Sequence, residues 1–84
     1  MPEIEIYTQP YCPYCARALA LLAQKGVAFK EIHAPPGSEA RAQALARTGR
    51  TSVPQIFING QSVGGCDDLM ALERAGRLDA LLAS

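Results

Sequence analysis

The chain carries three cysteines, and two of them stand as Cys12-Pro13-Tyr14-Cys15. Cysteines at this spacing can work as a redox dithiol or supply half of a tetrahedral zinc site. A strand-like segment precedes the motif. Pro13 suits the first turn of a helix, where its missing N–H leaves no bond unmade. A cysteine at such a helix start meets unpaired backbone N–H groups and the positive end of the helix dipole, which favour thiolate over thiol. The i, i+3 spacing puts Cys15 on the same face, one turn further in and less exposed. Cys12 is therefore expected to be the nucleophile and Cys15 the resolving thiol. Cys12 would attack a disulfide, and Cys15 would displace the partner from the resulting mixed disulfide. A zinc site would have to draw on Cys12, Cys15, Cys66 and His33. No second close cysteine pair exists, and Pro13-Tyr14 fits a helix start better than a metal knuckle, so no resident metal is expected. Cys66 reads as a small buried residue.

The flanking elements are legible from pattern. Glu3-Ile4-Glu5-Ile6-Tyr7-Thr8 alternates acidic and apolar residues and predicts a strand. Gln9-Pro10-Tyr11-Cys12-Pro13 is a loop. A helix follows from Tyr14, with Pro13 in its first turn, to Lys25, and Gly26 suits its left-handed cap. Residues 27–32 predict a second strand, parallel to the first because a helix joins them. Ser38 is a good N-cap for a helix that runs to about Thr48 and ends at Gly49. Gln55-Ile56-Phe57-Ile58 and Gln61-Ser62-Val63 flank Asn59-Gly60, a strong hairpin signal. Gly64-Gly65-Cys66-Asp67-Asp68 opens another helix with acids at its positive end. Gly76 breaks that helix, and a short one follows around residues 78–82. Tyr7 and Phe57 read as core or half-buried strand residues, and His33 as a solvated or locally bonded one.

Composition bounds the function. The 84 residues amount to a single domain, 1–84, with one small core. Eight basic side chains balance eight acidic ones, which argues against a nucleic-acid or polybasic membrane surface. No apolar run approaches the ~20 residues of a membrane helix. The start, Met1-Pro2-Glu3-Ile4-Glu5, has acids where a signal peptide has bases. Three cysteines are too few for a disulfide scaffold. A cytoplasmic protein, expected to be a monomer, fits these features.

With Cys-Pro-Tyr-Cys placed, the chain resembles the glutaredoxins. Ser52-Val53-Pro54 is similar to their Thr-Val-Pro, whose proline is cis. Gly64-Gly65-Cys66-Asp67-Asp68 is similar to their Gly-Gly-Cys-(Asp/Ser)-Asp loop, and Gln55-Ile56-Phe57-Ile58 matches the strand between. The similarity spans essentially the whole chain and points to the short bacterial dithiol members. It implies an α/β thioredoxin fold, a four-stranded mixed sheet flanked by helices in the order β-α-β-α-β-β-α.

The resemblance also implies a glutathione-dependent oxidoreductase that reduces glutathione mixed disulfides and protein disulfides. Glutathione is then a co-substrate and no cofactor is permanently bound. Val53 would hold the cysteinyl backbone of glutathione, with Pro54 fixing the turn and Ser52 beside it. Backbone N–H groups around Gly65, Cys66 and Asp67 suit the γ-glutamyl carboxylate, and Asp67 or Asp68 the ammonium. Tyr14 would line the groove, and Arg41 would reach the glycine carboxylate. Gln9 stands where the family commonly has lysine, near the same carboxylate. Two rival readings accompany this one. The first is a thioredoxin-like electron donor served by a flavin reductase. The second is a metal or iron–sulfur carrier, against which Pro13 argues.

Overall fold

The computed structural model describes residues 2–83; Met1 and Ser84 lie outside the description. The elements are β1 Ile4–Thr8, α1 Pro13–Gln24, β2 Lys30–His33, α2 Glu39–Thr48, β3 Gln55–Ile58, β4 Gln61–Gly64, α3 Cys66–Arg74 and α4 Leu78–Leu82. Their order is the expected one. β2 differs from the expected 27–32, and strand pairing explains why. Among the described residues its only neighbour is β1, and their ladder begins at Glu5–Lys30 and ends at Thr8–His33. Val27 and Phe29 lie ahead of that ladder and pack on the core as coil.

The sheet order is β2-β1-β3-β4. β1 runs parallel to β2 and antiparallel to β3, and β3 runs antiparallel to β4. The central strands β1 and β3 are covered on both faces, so their side chains are almost all buried. On one face Ile4, Ile6, Ile56 and Ile58 meet Leu22 of α1, Leu69 of α3 and Leu78 of α4. On the other, Tyr7 and Phe57 stack edge to face with ring centres 5.7 Å apart, beneath Ala44 of α2. Arg47 of α2 lies 3.6 Å above the Phe57 ring, donates to the Tyr7 hydroxyl at 3.0 Å and pairs with Glu5 at 3.3 Å. One cation thus satisfies the only polar tip of that aromatic pair.

Local chemistry ends the elements where expected. The Ser38 hydroxyl accepts the Arg41 N–H at 3.1 Å and caps α2. Asn59 and Gly60 both take positive φ, the backbone of a two-residue hairpin turn. Phe57 faces Ser62 but Ile56 faces Gly64, so β4 carries one extra residue, Val63. This bulge swings the chain out of the sheet and into α3. Far from the motif, Lys25 joins Glu73 and Asp79, each at 2.7 Å, and ties the end of α1 to α3 and α4.

Leu69 is fully buried between α3 and the sheet. Leu69→Ala should lower unfolding stability by ~2–5 kcal/mol, because the vacated volume cannot fully collapse. Denaturant titration reads this as a lower midpoint at an unchanged slope. A loss under about 1 kcal/mol would show that this contact does not anchor α3.

Candidate active site

β1 ends at Thr8, and three loop residues later Cys12 caps α1 with extended backbone. The Cys15 N–H donates to Cys12 Sγ at 3.2 Å. The sulfur thus occupies the place a serine or aspartate oxygen takes at an ordinary N-cap. It sits over the first turn of the helix, where backbone N–H groups have no carbonyl partner. The thiol also lies 3.9 Å from the Val53 carbonyl oxygen. Cys12 is partly exposed.

The other two thiols are buried. Cys15 is 2% exposed. Burial, and then its hydrogen bond with the Cys12 sulfur, push its thiol up to about 12, against a backbone hydrogen bond from Gln9 that pulls it down. Burial also pushes the Cys66 thiol up, helped by the negative Asp67 and opposed by Arg17. At neutral pH both are therefore held as thiols, and Cys12 is the sulfur that meets solvent. Among the described residues no three of His, Cys, Asp and Glu come close enough to share a metal ion, so Cys12, Cys15, Cys66 and His33 do not gather as a Cys₃His set.

A groove of about 220 Å³ opens beside Cys12, between the first turn of α1, the loop before β3 and the start of α3. Ser52, Val53 and Pro54 form one part of its lining, and the Val53–Pro54 peptide is cis. Gly65, Cys66, Asp67 and Asp68 form another, and Tyr14 and Arg50 complete it. The buried Gln55 amide donates to the Ser52 carbonyl at 3.0 Å, fixing the loop from below. Asp68 Oδ2 accepts both the Gly65 N–H and an Arg50 guanidinium N–H, each at 3.0 Å. The Gly65 hydrogen bond, then Arg50, hold the Asp68 carboxyl below the usual aspartate range. Gly64 takes a φ of +96°, and a Cβ there would run into the Asp68 carboxylate. A Cβ on Gly65 would press the Pro54 carbonyl oxygen at 3.2 Å. The Gly-Gly pair therefore lets α3 close on the Pro54 loop.

Eight of the ten residues expected to hold the ligand line this groove; Gln9 and Arg41 do not. Arg41 Nε and Nη2 donate to the Thr51 carbonyl at 2.9 and 2.6 Å. Its Nη1 donates to the Ala34 carbonyl and to Gln9 Oε1, both at 2.8 Å. Its fork is thus spent on tying α2 to the loops that follow β1 and β2 and to the segment that leads into β3. Gln9 is its acceptor, and a lysine at that position would set two cations face to face. Arg50 is the groove cation missed in the sequence. A signal existed: in an extended segment Arg50 lies two residues before Ser52, so both side chains point the same way.

A mixed sheet that presents Cys-x-x-Cys at the start of its first helix, facing a cis-proline loop, defines a thiol–disulfide oxidoreductase of the thioredoxin fold. A family model described as Glutaredoxin matches residues 4–63. The glutaredoxin of Pseudomonas aeruginosa is 56% identical over 84 residues, covering all of both chains. Glutaredoxin 3 of Escherichia coli K12 is 54% identical over 82 residues, covering 98% of this chain and 99% of the relative. Among solved structures, a buckwheat glutaredoxin–glutathione complex superposes with a TM-score of 0.87 at 33% identity, covering 98% of this chain and 77% of that one. The chain belongs to the glutaredoxin family, whose members are glutathione-dependent thiol–disulfide oxidoreductases.

Alkylation separates the three sulfurs. At neutral pH iodoacetamide should label Cys12 and leave Cys15 and Cys66 unlabelled, as peptide mapping would show. Cys15 should gain reactivity only as the pH climbs toward about 12, because its thiol loses its proton only there. Equal labelling of Cys12 and Cys15 at neutral pH would contradict this order.

Proposed function

We propose that the protein reduces glutathione mixed disulfides and protein disulfides through Cys12 and Cys15, with glutathione as co-substrate and no permanently bound cofactor. One observation carries the division of labour: Cys12 is partly exposed beside the Val53 groove, whereas Cys15 is buried. The Cys12 thiolate attacks the glutathione sulfur of a mixed disulfide. The substrate leaves as a thiolate and takes a proton from solvent. A second glutathione thiolate then attacks the Cys12–glutathione disulfide, releasing oxidised glutathione and restoring the Cys12 thiolate. Alternatively, Cys15 attacks Cys12 Sγ and expels glutathione as a thiolate, leaving a Cys12–Cys15 disulfide. While Cys12 is bonded to glutathione it carries no charge and accepts no proton from Cys15. Two causes that raise the Cys15 thiol are then absent, which leaves burial and the negative Glu31 to oppose its ionisation.

Glutathione is extended, with two carboxylates and one ammonium, and the groove offers partners for each. The Val53 backbone can pair with the cysteinyl residue, as in strand addition. The start of α3 presents N–H groups of Cys66 and Asp67 to the γ-glutamyl carboxylate. Asp67 suits the ammonium, because Asp68 is already engaged by Gly65 and Arg50. Arg50 faces the groove and suits a carboxylate, with Gln9 and Arg41 behind the same loop. The buckwheat relative solved with glutathione supports this use of the groove. The protein halves of the substrates are glutathionylated or disulfide-bearing proteins. The balanced charge fits neither nucleic acid nor an anionic membrane surface. No helix among the described residues is long and apolar enough to cross a membrane. A single-domain monomer working in the cytoplasm, where glutathione keeps thiols reduced, fits this chemistry.

Cys12→Ser should abolish all turnover. Cys15→Ser should keep reduction of glutathione mixed disulfides, because external glutathione resolves Cys12, and lose most reduction of protein disulfides. Assays that recycle glutathione through its reductase read both. Complete loss in both variants would overturn the assignment.

Arg50→Ala should raise KM for a glutathionylated substrate by up to about fivefold with kcat kept, since exposed ion pairs are worth ~0–1 kcal/mol. The effect should shrink as salt rises. An unchanged KM would place the ligand's carboxylate elsewhere.

A further inference from the structure

We propose that a second depression, over β1 and β2, docks the polypeptide flanking the substrate's cysteine and selects a basic residue in that flank. The inference rests on the function just given. In that reading glutathione occupies the groove between the Pro54 loop and α3, so the protein half of a mixed disulfide needs other ground. The second depression, of about 430 Å³, borders Cys12 itself and shares no lining residue with the first. The sheet order explains the separation: Cys12 follows β1, with β3 and β4 to one side and β2 to the other.

The lining has the character of a peptide site. Tyr11, Pro13, Ala16 and Leu19 give it an apolar surface. The Tyr11 ring is fully exposed, and its backbone sits at a φ of 60°, unusual for a bulky residue. Such a ring, placed beside the nucleophile and covered by none of the described residues, is the type of side chain that anchors a partner. Glu31 is the one charged residue of the lining. Its Oε2 accepts the hydroxyl of buried Thr8 at 2.8 Å, which holds the carboxylate in place. Glu5, Asp68, Glu73 and Asp79 all have cations beside them. Glu31 makes no ion pair among the described residues. An oriented carboxylate at the edge of an apolar trough fits lysine or arginine, whose stem can lie on Tyr11 and Leu19 while its head meets Glu31. The occupant is therefore an extended, basic segment around the modified cysteine. The covalent step is unchanged: the Cys12 thiolate bonds to the glutathione sulfur, and the peptide cysteine leaves as a thiolate and takes up a proton.

The test compares the glutathione mixed disulfide of 2-mercaptoethanol, whose non-glutathione half is small and uncharged, with glutathionylated hexapeptides whose cysteine is flanked by lysine, glycine or glutamate. The wild-type protein should turn over the lysine-flanked peptide with a kcat/KM about tenfold above the glutamate-flanked one. Glu31→Gln should level the peptides, and Glu31→Lys should reverse their order. Tyr11→Gly, which suits the positive φ, should lower kcat/KM for all three peptides severalfold. Every variant should turn over the small disulfide within about twofold of wild type, because that substrate does not reach the second depression. Equal losses on peptides and small disulfide, or no flank preference in the wild type, would overturn the inference alone. No turnover of the small disulfide by the wild-type protein would overturn the functional reading, and this inference with it.

Discussion

The hydrogen bond from the Cys15 N–H to Cys12 Sγ organises the site, because it makes the reactive sulfur the cap of α1. A capping residue stands half outside its helix, whereas Cys15, three positions on, belongs to the first turn and faces the packed interior. One element boundary therefore exposes the first cysteine and buries the second. Both sulfurs also share one local environment of unpaired N–H groups, and only one of them can take full advantage of it. Pro13 sharpens the arrangement, since it starts the helix without adding a donor that the sulfur would have to satisfy.

The same proximity lets the charge on one sulfur govern the other. Burial is the larger cause that keeps Cys15 protonated, but the Cys12 sulfur adds to it through a hydrogen bond and through charge. A thiolate at Cys12 thus discourages a second thiolate, which would cost the fold a buried charge. Bonding of Cys12 to a substrate removes that opposition when a second nucleophile is useful. Cys66 packs at the start of α3 and is kept as a thiol chiefly by burial, with Asp67 and Cys12 adding to it through charge.

Three arginines show how similar residues divide between scaffold and ligand surface. Arg47 covers the Tyr7–Phe57 pair, and Arg41 staples α2 to the Thr51 and Ala34 carbonyls. Arg50 is more than half exposed in the groove, with Asp68 as its partner. A fork that meets backbone carbonyls on several sides holds loops in register. One that meets a single carboxylate at a groove can exchange it for the carboxylate of a ligand.

Much of this was legible in the residues alone, because the signals are local. Pro13 at a helix start, Ser38 as a cap, Asn59-Gly60 between two apolar runs and Gly64-Gly65 before paired acids each act within a few positions of themselves. The placement of Cys12 at the cap and of Cys15 inside the first turn follows from helix periodicity in the same way. The boundary of β2 could not be read, because it depends on where β1 offers a ladder and not on the apolar pattern of residues 27–29. Nor could the choice of groove cation. Arg41 and Arg50 are nine positions apart and chemically alike, and which one lines the groove depends on how the Thr51 carbonyl turns toward α2. The sequence by itself determined the reacting pair and the order of elements, since both rest on contacts along the chain. The tertiary structure decided which charges reach the site, since that rests on segments far apart in sequence meeting in space.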